Sequence, residues 1–214
     1  MNIHGSAPPR SGLFISFEGI DGSGKSLQAR LLADWLKTQG HPVLLTREPG
    51  GSPGAEEIRD LVLRGDTDRW SAETELLLFT AARRDHVERI IMPALNDGKV
   101  VITDRFVDST RIYQGETRGP LRKLVDDLHD LIIKIEPDLT FLIDLDPEIA
   151  LSRARGRGDD EQRFESFGLD WQKTLRTRFL DLAKNAPERI KQIDGKQSIE
   201  EINADIRRIV DMRL

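Results

Sequence analysis

A chain of 214 residues with 38% hydrophobic and 32% charged side chains is long for one compact domain and short for two, and its mix is that of a soluble globule rather than a disordered segment. The 37 acidic residues outnumber 32 basic ones for a net charge of -5, which excludes an overall basic field for holding a nucleic-acid polymer. Without cysteine there is no disulfide framework or thiolate metal site, and no apolar run nears the roughly 20 residues that span a bilayer, so the cytoplasm is the expected location.

In chain order, residues 1–12 (MNIHGSAPPRSG) read as a flexible leader, with Gly, Pro and Ser but no apolar run. Leu13 to Glu18 is a short apolar strand that stops at glycine, and from Lys25 the apolar positions Leu27, Leu31, Leu32, Trp35 and Leu36 recur at helical spacing. Pro42 to Thr46 is a second strand, followed by a Pro- and Gly-rich loop. Helical patterns cover Ala55 to Arg64 and Ala72 to Asn96, the latter with a bend or early end expected at Pro93. Val100 to Thr103 is the third strand; helix is expected over Val107 to Gly115 and Leu121 to Ile135, then a fourth strand at Leu139 to Leu145 and a helix from Pro147. Arg153 to Arg163 reads as a charged loop. A helix from Leu169 to Ala183, a strand at Ile190 to Ile193 and a terminal helix from Ser198 close the chain. Strands separated by helices imply a parallel sheet with helices on both faces, whose ligands sit at the carboxyl ends of the strands.

The run Gly19-Ile20-Asp21-Gly22-Ser23-Gly24-Lys25-Ser26 matches G-x-x-x-x-G-K-[ST] in the strand-to-helix setting that motif requires. Its glycines let backbone amides turn toward phosphate oxygens, and the following helix adds its positive end. Lys25 is expected to reach the β and γ phosphates of ATP and Ser26 to ligate Mg²⁺. Asp104, ending the third strand, can face that metal from the neighbouring strand or cap the next helix. The loop alone does not separate a kinase from a nucleotide switch or an assembly ATPase, though N-K-x-D, the guanine signature, is missing.

Arginines recur where loops reach the active edge: Arg47 after the second strand, Arg105 after the third, and Arg153, Arg155 and Arg157 beyond the fourth. A kinase acting on a nucleoside monophosphate brings together two repelling anions, and guanidinium groups clamp phosphate oxygens bidentately. Such an acceptor, with a second pKa near 6, is largely dianionic at neutral pH and needs no strong general base.

The segments FEGIDGSGKSLQ, TREPGG, LLLFTAARRDHV, DRFVDSTRIYQG and PDLTFLIDLDPEIALSRARGRG, in this order, closely resemble bacterial thymidylate kinases over nearly all of the chain after the leader. The resemblance implies an α/β P-loop nucleoside monophosphate kinase fold: one domain over 13–214, a five-stranded parallel sheet and a LID at about 153–165. It also implies a homodimer, with ATP as donor and dTMP as acceptor. Phe79 matches the aromatic that stacks on thymine, and Arg83, four residues on, the group that bonds the base edge. Read without the resemblance, Phe79 is a core residue and Arg83 a surface charge. Ser109, Thr110 and Gln114 match positions around the acceptor, and Tyr113 a tyrosine where a ribose 2′-hydroxyl would clash. Asp21 matches the acid that meets the acceptor's sugar, while Arg47, Glu48 and Arg105 match the surroundings of its phosphate.

The resemblance places the catalytic arginine either in the phosphate loop or in the LID; the loop here has none, so Arg155 and Arg157 are expected to supply it beside Lys25 and Arg105. Two departures stand out. The acidic stretch after the LID is shortened here to Arg163-Phe164-Glu165-Ser166-Phe167, and Ser26-Leu27 stands where two threonines are common, the serine keeping the metal-binding hydroxyl. The activity implied is transfer of the γ-phosphoryl group of ATP to dTMP, giving dTDP. Another P-loop kinase of a deoxynucleoside or nucleotide, or a non-transferring NTPase, is the alternative. The four histidines show no metal-ligand spacing and read as surface or structural.

Overall fold

The computed structural model describes residues 11–64, 69–117, 119–154 and 168–214. Five parallel strands, β1 (Phe14–Glu18), β2 (Val43–Arg47), β3 (Val100–Asp104), β4 (Leu139–Asp144) and β5 (Ile190–Asp194), form one sheet in the order β2-β3-β1-β4-β5. β1 lies at the centre and is buried along its whole length, whereas the edge strand β2 has no fully buried residue. A parallel sheet covered on both faces demands apolar side chains in both directions. Successive residues of β1 oblige: Phe14 joins one core, Ile15 and Phe17 the other.

The Ile15 face packs against α1 (Lys25–Thr38) and α9 (Ile199–Asp211), whose buried Leu32, Leu36, Ile202 and Ile206 recur at helical spacing. Ser198 caps α9 in a reciprocal capping box with Glu201. The Phe14 face is covered by α3 (Ala72–His86), α4 (Met92–Asn96), α5 (Val107–Tyr113) and α6 (Arg122–Leu128). α2 (Pro53–Leu63) packs on α3 at the sheet edge. α7 (Pro147–Ala154) and α8 (Gly168–Asn185) are the remaining described helices, with Leu175 and Phe179 of α8 in a third cluster that includes Ile20, Ile112 and Tyr113.

The helix expected to bend or end early at Pro93 runs on to Asn96, as the outer bound of the pattern had it. Its change of pitch comes earlier, as a π turn over Val87–Ile91 that separates α3 from α4. Proline lacks an N–H, and the wider turn ahead of it accommodates the missing bond without ending the helix. A second π turn, His129–Ile133, follows α6 and stops at Lys134, whose φ is 60°. Arg153, expected in a loop, is still helical.

The register aligns Asp104 with both Phe17 and Arg47, so the carboxyl ends of β1, β2 and β3 open on one edge. Among the described residues no helix is long and apolar enough to cross a membrane.

Candidate active site

A turn that must leave the end of a buried strand and start a helix within a few residues needs backbone that side-chain-bearing residues avoid. Gly19, Gly22 and Gly24 take φ values of 142°, 82° and 97°. Gly22 is also a close-approach glycine: a Cβ there would stand 2.0 Å from the carbonyl oxygen of Ala150 in α7. At Gly24 a Cβ would meet nothing within 4 Å, which leaves the mouth of the loop open at the start of α1. No acidic side chain occupies the first turn of α1 and no side chain caps it, so its free N–H groups and positive end face the loop. Ile20 anchors the loop in the third core cluster, with Leu27 half-buried in the first turn of α1. Ser23 Oγ is buried and has no partner among the described residues.

A cleft of about 390 Å³ opens beside the loop. Asp21, Gly22, Lys25 and Ser26 line it from the loop side, together with Asp104 and Arg105 from the end of β3. Lys25 is 6% exposed, with Nζ 3.4 Å from Asp21 Oδ1; burial and the neighbouring Arg105 push its amine below the usual lysine value. Burial would raise Asp21, yet Arg105 and Lys25 outweigh it and hold the carboxyl at about 2. Arg105 Nη2 donates to Asp21 Oδ1, and the Tyr113 hydroxyl donates to Asp21 Oδ2 at 3.2 Å. Asp104 Oδ1 is buried without a partner among the described residues. A desolvated carboxylate oxygen with no donor among the described residues, in the cleft that Ser26 also lines, is a donor set suited to a hard divalent cation.

The other wall is built by α3, α5 and the loop after β2. Phe79 and Arg83 stand one turn apart on α3 and both line the cleft. Arg83 is 5% exposed; its Nε donates to Glu48 Oε2 at 2.7 Å and its Nη2 to Thr110 Oγ1 at 2.9 Å. Glu48 is held from the other side by His86 Nδ1 at 3.0 Å. Burial opposes this carboxylate, but Arg83 and His86 keep it below its usual range. Gln114 Nε2 donates to buried Glu75 Oε1 at 2.9 Å. Tyr113 and Ser109 line the cleft beside Arg105, with the phenol pushed up chiefly by burial. Arg47 reaches the rim, where it is half-exposed and donates to Glu56 Oε2 at 3.1 Å.

One cleft therefore gathers Asp21, Gly22, Lys25, Ser26, Asp104 and the whole expected acceptor set. Gly19, Ile20, Ser23, Gly24 and Leu27 frame the loop without lining that cleft. Arg155 and Arg157 lie outside the described residues, as does the stretch Arg163 to Phe167. Sequence reasoning missed Arg59 and Leu63 of α2, which line the cleft, and Glu18, His86 and Glu75, which hold its walls. Arg59 donates to the carbonyl of Pro49, and Glu56 Oε1 accepts from Gly51 N at 2.8 Å. Their i,i+3 spacing on a helix that directly follows the glycine loop was the available signal.

The family model described as thymidylate kinase matches residues 17–206 of the chain. The thymidylate kinase of Ruegeria pomeroyi is 64% identical over 200 residues, covering 94% of this chain and 95% of that protein. That of Caulobacter vibrioides is 49% identical over 204 residues, covering 95% and 98%. The crystal structure of the Ehrlichia chaffeensis thymidylate kinase superposes with a TM-score of 0.76 at 36% identity, over 94% of this chain and 99% of that one.

Proposed function

Belonging to the thymidylate kinase family, the chain phosphorylates dTMP to dTDP, and we propose that the cleft beside the phosphate loop is where ATP and dTMP meet. The observation that carries this placement is that one cleft holds the phosphate-loop residues Gly22, Lys25 and Ser26 together with the donor pair Arg83 and Thr110. Arg83 uses Nε on Glu48, so the rest of its guanidinium is aimed by that bond. Thr110 Oγ1 already accepts from Arg83, which leaves its own proton to donate. Such a wall favours a base edge that carries a carbonyl oxygen, as thymine does, over one that carries an amino group. Phe79 offers its ring as a stacking face, and Tyr113 with Asp21 closes the side where the sugar sits.

At the loop, Lys25 and the amides of Gly19 to Ser26 hold the β and γ phosphates of ATP, and Arg105 and Arg47 hold the phosphate of dTMP. Ser26 and Asp104 would hold Mg²⁺, which when bound neutralises charge on the β and γ phosphates. The acceptor phosphate is a dianion at neutral pH, so the chain's task is to position two anions and exclude water rather than to remove a proton. Arg155 and Arg157, in a LID at about 153–165, complete the neutralisation. Residues 13–214 act as one kinase domain after the leader at 1–12, the protein works as a cytoplasmic homodimer, and exposed Leu61, Leu77 and Leu131 on neighbouring elements support that pairing.

A panel of thymidine, uridine, cytidine and adenosine monophosphates, deoxy and ribo, with ATP and Mg²⁺ in a coupled ADP assay tests base and sugar reading together. Turnover is expected with dTMP above all others, and weakest with the amino-bearing bases. Equal rates with dCMP and dTMP would remove Arg83 and Thr110 from base reading; equal rates with deoxy and ribo acceptors would remove Tyr113 from sugar reading.

A further inference from the structure

Glu18 ends β1 with a carboxylate that is 1% exposed and that holds a wall of the cleft without lining it. A buried carboxylate is costly unless donors surround it. Its Oε1 accepts from the backbone N–H of Phe106 at 2.8 Å and of Ser109 at 3.3 Å, and its Oε2 accepts the Ser109 hydroxyl at 2.6 Å. Those amides belong to the start of α5, where Phe106 supplies no side-chain cap. Just before them, Arg105 takes a φ of 69°, a left-handed conformation that a side-chain-bearing residue holds only when its surroundings enforce it. Ser109 Oγ then accepts from Arg105 Nη1 at 2.8 Å, while the same guanidinium reaches the Gly19 carbonyl at 3.3 Å and Asp21.

We propose that Glu18 is a positioning residue for Arg105: it holds the left-handed turn through the Phe106 and Ser109 amides, and it orients the Ser109 hydroxyl so that its oxygen presents a lone pair to the guanidinium. The chain Glu18, Ser109, Arg105, Asp21 thus ties the end of the central strand to the phosphate loop through side chains alone. An acid at this place does what a neutral group cannot. Ionised Oε2 is an acceptor only, so the Ser109 proton must point at it and away from Arg105.

This inference rests on the reading that Arg105 acts on the phosphates, and the test separates the two. Glu18→Gln keeps volume and an oxygen for the two amides, but its NH₂ group meets Ser109 and turns that hydroxyl's proton toward Arg105. Because burial and Asp108 push the Glu18 carboxyl up to about 7, against Ser109, Arg105 and the Phe106 amide, assays belong at pH 8, on the side that favours its ionised form. Glu18→Gln is expected to lower kcat about tenfold, on the scale of one lost charge-assisted hydrogen bond, with KM for ATP unchanged. In an Arg105→Ala background the same change is expected to cost less than about twofold. Ser109→Ala, which removes only a hydroxyl, should reproduce the loss and not add to it, and it carries the test should Glu18→Gln fail to fold.

Equal losses in both backgrounds, or additive losses with Ser109→Ala, would make Glu18 a structural residue and overturn the proposal. So would an unchanged kcat in Glu18→Gln or, should that variant not fold, in Ser109→Ala. An Arg105→Ala variant with full kcat would instead overturn the role given to Arg105.

Discussion

Asp21 shows how a single side chain in this site is set by its neighbours. Three-quarters buried, it would be expected to resist ionisation, but Lys25 and Arg105 stand on it and hold it at about 2 against an ordinary 3.8. Between those values the unfolded chain binds the extra proton, so stability rises with pH there. The contribution is complete above about pH 4 and is lost as pH falls toward 2. With partial exposure it amounts to about 1–2 kcal/mol. Asp21→Asn is expected to lower the unfolding free energy of the ligand-free protein by that amount at pH 7, in urea titrations followed by circular dichroism. The gap should narrow at pH 3.5. A gap that stays constant with pH would mean that shape rather than charge is what Asp21 contributes. Glu48 is a further case: the family resemblance places it near a phosphate, where a carboxylate would repel, and the structure shows both of its oxygens taken up by Arg83 and His86. No pattern in the sequence could show that, because the three residues converge from two elements.

At the scale of elements, the phosphate loop was legible because its requirements are local. Glycines at fixed offsets between an apolar strand and a helical pattern leave few other foldings. What the motif does not convey is that its glycines serve different ends. Gly22 lies under α7, and a methyl group there would press on the Ala150 carbonyl at 2.0 Å as well as strain a φ of 82°. Gly24 is strained in the same way, at 97°, but opens onto space. Gly22→Ala is therefore expected to destabilise the fold by about 2–4 kcal/mol, strain and overpacking together. Gly24→Ala should cost about 1–2 kcal/mol, the strain alone, yet weaken ATP binding. Thermal unfolding without nucleotide, paired with ATP titration calorimetry, separates the two. Equal destabilisation by both would show that α7 yields to the added methyl. The helix through Pro93 taught the opposite lesson: proline signals a defect but not its position, since the π turn that absorbs it begins six residues earlier, at Val87.

For the whole molecule, alternation of apolar strands with helical patterns made the parallel sheet readable, but that the run Leu13 to Glu18 supplies its middle strand comes from the strand order, which no single segment carries. Charged residues in the interior were not readable. Asp108 is 1% exposed and is met by Arg111 at 2.8 Å and by Arg189 at 2.6 Å, the last 81 positions away in sequence. Each alone reads as a surface charge. The same limit applies to the outer surface, where single exposed leucines are ordinary and only their adjacency carries weight. Leu77 of α3 is 55% exposed, Leu61 of α2 41%, and Leu131 of the second π turn 68%. α2 packs on α3, and Arg84 of α3 donates to the Ile132 carbonyl at 2.9 Å, which brings the π turn alongside. These three leucines lie on elements that pack together, and on them the proposed pairing can be tested. Sedimentation equilibrium at micromolar concentration is expected to give about twice the 24.2 kDa of one chain. Leu77→Glu should shift it to the monomer while leaving the melting temperature of the fold within a few degrees, because the position is exposed and a surface change costs about 0.5 kcal/mol. A wild-type monomer, or a variant that remains paired, would place the contact elsewhere or remove it.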